Sequence, residues 1–77
     1  MIEVLKFSLD TCAPCKVLSK TLEGVEGITE VKDKETFLQY GVKSVPTLIF
    51  FKNGDEVNRV RGSITLDMYN DLIKDIK

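Results

Sequence analysis

The feature that most narrows what this chain can become is a pair of cysteines, Cys12-Ala13-Pro14-Cys15, set between an apolar run and an amphipathic stretch. Positions i and i+3 stack on one helix face, so two sulfurs at a helix start come within bonding distance. The pair can open and close without refolding the chain. So short a loop is too small to staple a domain, and a reducing cytosol keeps a purely structural pair open.

The same spacing is also half of a zinc or iron–sulfur site. Completing one takes further ligands, and the chain has no other cysteine and no histidine. A metal then needs a dimer, external thiols or oxygen ligands. The missing histidine also removes Cys–His nucleophilic hydrolases. Placement between a strand and a helix moves the reading toward redox chemistry. There, unpaired N–H groups and the positive end of the helix dipole favour an anion, so Cys12 is expected to have a lowered pKa and react as a thiolate. Cys15, one turn in, is expected to be more buried. Cys12 then attacks a substrate disulfide and Cys15 resolves the mixed disulfide.

The rest of the chain reads as a frame for that turn. Ile2 to Ser8 is a central strand, with Ile2 and Val4 on one face and Leu5 and Phe7 on the other. Thr11 or Asp10 is the expected N-cap of a helix that has Cys12 in its first turn, tolerates Pro14 there, and runs to a stop at Gly24. Leu18, Leu22 and Val25 form its apolar stripe. Ile28 to Lys32 is a second strand, parallel to the first because a helix separates them. Asp33 caps a brief helix, Lys34 to Tyr40, ended by Gly41. Thr47 to Phe51 is a buried strand, and Asn53-Gly54 is a type I′ turn signal that returns Glu56 to Arg61 as a charged edge strand. Thr65 caps a last helix whose Tyr69, Leu72, Ile73 and Ile76 share a face. The fold class is α/β: a mixed four-stranded sheet flanked by helices on both faces.

At 77 residues the chain is expected to be one domain, 1–77. Its formal net charge of −1 gives no electrostatic reason for nucleic acid or an anionic membrane as partner. No apolar run approaches the roughly 20 residues of a membrane span, and Met1 leads directly into the first strand without a leader pattern. A cytoplasmic location is the expectation.

Three stretches together resemble the thioredoxin/glutaredoxin superfamily over nearly the whole chain: Cys12-Ala13-Pro14-Cys15-Lys16, Tyr40-Gly41-Val42-Lys43-Ser44-Val45-Pro46-Thr47 running on to Asn53-Gly54, and Gly62 after the edge strand. The likeness is to a minimal, glutaredoxin-sized member without the N-terminal strand and helix of full-length thioredoxins. It implies the thioredoxin fold, with the second strand beside the first, then the third and fourth. It also implies a cis Val45–Pro46 bond facing the cysteines and a shallow docking surface of Ala13, Pro14, Val45, Pro46, Gly62 and Ser63.

Two departures stand out. Thr11 replaces the tryptophan usual before the first cysteine, and Lys6 replaces a buried acid. Lys6 either reaches the sheet edge or tunes a thiol, and Lys16 is a second candidate for tuning. The expected activity is reduction of protein disulfides by a monomer without metal or organic cofactor, recharged by a flavoprotein reductase or glutathione. The rival readings are a glutathione-dependent glutaredoxin and a non-catalytic adaptor or metal-cluster carrier.

Overall fold

Alternating apolar residues make Ile2–Phe7 a strand, β1, and the computed structural model, which describes all 77 residues, builds everything else against it. The order continues with α1 (Ala13–Thr21), β2 (Ile28–Val31), α2 (Lys34–Gln39), β3 (Thr47–Lys52), β4 (Asp55–Arg61) and α3 (Leu66–Ile76). One four-stranded sheet runs β2-β1-β3-β4. β2 lies parallel to β1, while β3 and β4 are antiparallel to their neighbours. This is the mixed sheet expected.

Strand alternation sorts the core into two layers. Val4, Leu48 and Phe50 join Leu18 and Leu22 of the α1 segment with Ile64 and Tyr69, with Ile2, Val60 and Leu72 packed around them. Phe7, Val31, Val42 and Ile49 lie on the opposite face with Leu5, Phe37, Tyr40 and Phe51. There the Phe7 ring meets those of Phe37 and Tyr40 edge to face, at centroid distances of 5.2 and 5.8 Å. Thus α1 and α3 cover one face and α2 the other.

Several boundaries differ by a residue or two from expectation. Ser8, Lys32 and Tyr40 fall just outside their elements, and α1 ends at Thr21 with Leu22 as C-cap. Ser8, Leu22 and Tyr40 still donate backbone hydrogen bonds to Val31, Leu18 and Thr36, so these ends taper over a residue or two. Asn53 and Gly54 both have left-handed backbones, φ 53° and 89°, as a type I′ turn requires. A bulge between Phe50 and Phe51 shifts the register of β4, leaving Val57 without a partner.

Candidate functional site: a dithiol at the head of the first helix

The end of β1 delivers the chain to the cysteines. Cys12 has an extended backbone, φ −93° and ψ 111°, and its own Sγ accepts from the Cys15 N–H at 3.2 Å. Cys12 is therefore the N-cap, which corrects both the expectation of Thr11 or Asp10 in that role and the placing of Cys12 inside the first turn. The sulfur outcompetes the oxygens because the cap belongs to the residue immediately before the first helical one, and that is Cys12. Pro14 falls in the first turn of α1, where its missing N–H costs no helical bond.

A disulfide joins Cys12 and Cys15, with Cα atoms 5.2 Å apart. Cys15 is buried at 2% exposure, whereas Cys12 is half-buried. The expected asymmetry between the sulfurs is present.

Phe7 pairs with Thr47, and Thr47 in turn with Arg61. The cysteine turn, the Val45–Pro46 segment and Gly62-Ser63 therefore leave the sheet at the same end. The Val45–Pro46 bond is cis, as the resemblance implied. Gly62 N–H donates to the Pro46 carbonyl at 2.8 Å, and Thr47 Oγ1 donates to the Ser44 carbonyl at 2.8 Å, so both sides of the segment are tied down. Pro46 is fully buried and Val45 half-buried, while Ala13, Pro14 and Ser63 are exposed.

Lys6 reaches from β1 toward the edge strand β2. Its side chain is 7% exposed, and its ammonium pairs with Glu30 at 3.2 Å and donates to Ser19 Oγ. Ser19 lies one turn beyond Cys15 on α1, so the Lys6 ammonium is tied to the helix that carries the resolving cysteine. Sequence reasoning missed Glu30 and Ser19. The parallel register Lys6↔Glu30 brings Glu30 there, and only the i+4 spacing of Ser19 from Cys15 was readable in advance.

The charges continue outward. Glu30 also pairs with Lys32 at 3.1 Å, and Lys32 with Asp10 at 2.7 Å. The Lys32 hydrogen bond is the main force holding the Glu30 carboxyl below its usual range, against partial burial and with help from Lys6. The same ammonium lowers Asp10, and the two carboxylates raise Lys32. A cleft of about 430 Å³ runs past Cys15, Ser8, Lys16, Glu30 and Lys32. In it the Ser8 hydroxyl is buried without a hydrogen-bond partner. Lys16 is exposed. Nowhere do three or more Cys, His, Asp or Glu side chains converge as metal ligands do.

A disulfide closed across one helical turn, with one sulfur accessible and the other covered, is built to pass an electron pair to or from another disulfide. The class is that of thiol–disulfide oxidoreductases. The thioredoxin family model matches residues 2–75, and the chain belongs to the thioredoxin family. A thioredoxin of Chlamydia caviae is 41% identical over 68 residues, covering 77% of this chain and 67% of that protein. A probable thioredoxin-2 of Caenorhabditis elegans is 29% identical over 95% of this chain, which spans 57% of that longer protein. Among solved structures, a mutant thioredoxin from Halobacterium salinarum NRC-1 superposes with a TM-score of 0.90 at 28% identity, covering 96% of this chain and 73% of that one. Thioredoxins reduce disulfides in proteins, and the Cys12–Cys15 pair is the equipment for that reaction.

Proposed function

We propose that the chain reduces protein disulfides with Cys12 as attacking thiolate and Cys15 as resolving thiol. The observation that carries the assignment is burial: Cys12 is half-buried and Cys15 is covered. In the reduced protein the Cys12 thiolate attacks one sulfur of the target. The target S–S bond breaks, its other sulfur leaves as thiolate and takes up a proton, and a Cys12–target mixed disulfide forms. Cys15 then loses its proton and attacks Cys12 Sγ, releasing the second target thiol and closing the Cys12–Cys15 bond. Two electrons pass from the pair to the target, and no cofactor is needed.

The target docks in an extended form over Ala13 and Pro14 on one side and Val45, Pro46, Gly62 and Ser63 on the other, with Val45 backbone groups as hydrogen-bond partners. Lys6 favours the Cys15 thiolate. Its ammonium is buried, whereas the side chain of its counter-ion Glu30 is 41% exposed, so solvent screens the anion more than the cation. Lys16, in water, contributes less. The chain acts as a cytoplasmic monomer and draws electrons from a flavoprotein reductase, with glutathione as the competing donor.

Trapping tests the assignment. With a protein disulfide as substrate, Cys15→Ser is expected to accumulate a stable mixed disulfide and Cys12→Ser none. The reverse pattern overturns the roles, and a wild type no faster than dithiol alone overturns the activity. Lys6→Met is expected to slow the second step while leaving mixed-disulfide formation at the wild-type rate. Equal slowing of both steps removes Lys6 from the tuning role.

A further inference from the structure

One cleft lies beside Cys15 and another borders the Val45–Pro46 segment, and their charges differ. The one beside Cys15 is balanced: Lys16, Lys20 and Lys32 face Asp10, Glu23 and Glu30. The other, of about 310 Å³, is lined by Gly41, Val42, Lys43, Thr47, Arg59 and Arg61, three cations and no acid. A chain with 11 basic and 12 acidic residues has no overall excess to explain that cluster.

The cleft adjoins the docking strip on both sides. Lys43 stands two residues before Val45. Arg61 pairs in register with Thr47 and directly precedes Gly62, whose N–H holds the Pro46 carbonyl at 2.8 Å. Arg59 is already committed: its Nε and one terminal nitrogen bind the Glu56 carboxylate at 2.9 and 3.0 Å, and its other nitrogen binds the Tyr40 carbonyl at 2.9 Å. That brace fixes the cleft wall. Lys43 and Arg61 are exposed and make no ion pair or side-chain hydrogen bond.

We infer that the Lys43–Arg61 cleft receives Asp or Glu side chains of the protein segment that carries the target disulfide, so that acidic targets are preferred. This rests on the disulfide-reductase reading above and names its substrate class. An extended target advances about 3.3 Å per residue, so side chains a few residues from the attacked cysteine pass over the cleft. Carboxylates there meet two unpaired cations without displacing an existing partner, and because the site is solvated the preference is salt-sensitive.

The test is a set of peptides with one disulfide each, flanked by Glu, Gln or Lys and otherwise identical, reduced by the full chain at low and high salt. The Glu peptide is expected to have a kcat/KM about fivefold above the Gln peptide at low salt, with the gap closing at 0.5 M NaCl. The paired change Lys43→Glu with Arg61→Glu is expected to reverse the order in favour of the Lys peptide, a gain that damage to the fold cannot produce. Equal rates for the three peptides overturn the inference and leave the reductase reading intact, whereas no reduction of any peptide overturns both. If the charge reversal instead slows only a glutathione mixed disulfide of the Gln peptide, the cations serve glutathione and the inference fails.

Discussion

Lys6 shows what a single buried charge demands of its neighbours. An ammonium taken out of water costs several kcal/mol unless it is paired, and here Glu30 and Ser19 supply the pairing. Removing the anion alone is therefore worse than removing the cation. Glu30→Gln is expected to lower stability by about 1–2 kcal/mol, less than the roughly 3–5 kcal/mol of a fully buried pair because Glu30 is partly solvated. Lys6→Met fills the same space without charge and is expected to stay within about 1 kcal/mol of wild type. Urea unfolding of both variants checks the order, and a Lys6→Met protein less stable than Glu30→Gln contradicts it. The turn that holds the sulfurs is set at the same scale, since Cys12 caps its own helix.

Among the elements, α1 carries the redox pair and so must be held rigid by its buried face. Leu18 is fully covered among Val4, Leu48 and Phe50. Leu18→Ala is expected to cost about 3 kcal/mol, which in so small a fold is a large share of the total stability. The effect appears as an earlier thermal midpoint and faster hydrogen exchange along α1. The β3–β4 hairpin brings Gly62 back to Pro46 and depends on its turn. Gly54 has φ 89° with open space where a Cβ would stand, so Gly54→Ala meets no neighbour and incurs only the strain of an L side chain at positive φ. A cost of about 1 kcal/mol is expected, and no measurable loss would mean that the turn relaxes to another type.

Taken whole, the molecule couples its stability to pH at both ends. Asp10, Glu30, Asp33 and Glu56 all titrate below their ordinary values of 3.8 or 4.5, the largest cause in each case being a side-chain hydrogen bond, to Lys32, Lys32, Thr36 and Arg59 respectively. Carboxyls depressed in the folded state contribute fully above those ordinary values, and the contribution disappears as pH falls through the folded ones. Stability is expected to hold from neutral pH down to about 5 and to drop below 4. Tyr69 behaves in the opposite sense. Burial raises its hydroxyl above 10.0, so its contribution is complete below that pH and is lost as pH rises beyond it. Tyr69→Phe is expected to match wild type at pH 7 and to lose less stability than wild type above pH 10, as followed by thermal melts. Parallel alkaline profiles for the two proteins exclude Tyr69 as the cause.

The order of elements, the two-faced strands, the Asn53-Gly54 turn and the cysteine pair were all legible in the sequence, because each is set by neighbours within a few residues: a period of two, a period of 3.6, a turn that needs positive φ, two sulfurs one helical turn apart. The motif around Val45-Pro46 was legible as a likeness to a family, and the cis bond came with it. Other features required the folded chain. Glu30 meets Lys6 only because β2 lies parallel to β1 in one particular register, and Lys43 and Arg61 share a cleft only because β4 returns beside β3. The cap passed from Thr11 or Asp10 to Cys12 because backbone geometry, not residue preference, decides where the first helical turn begins. Local periodicity thus determined which residues form the frame. Long-range pairing decided which charges meet Lys6 and which stand near Val45, since no short-range pattern encodes strand register.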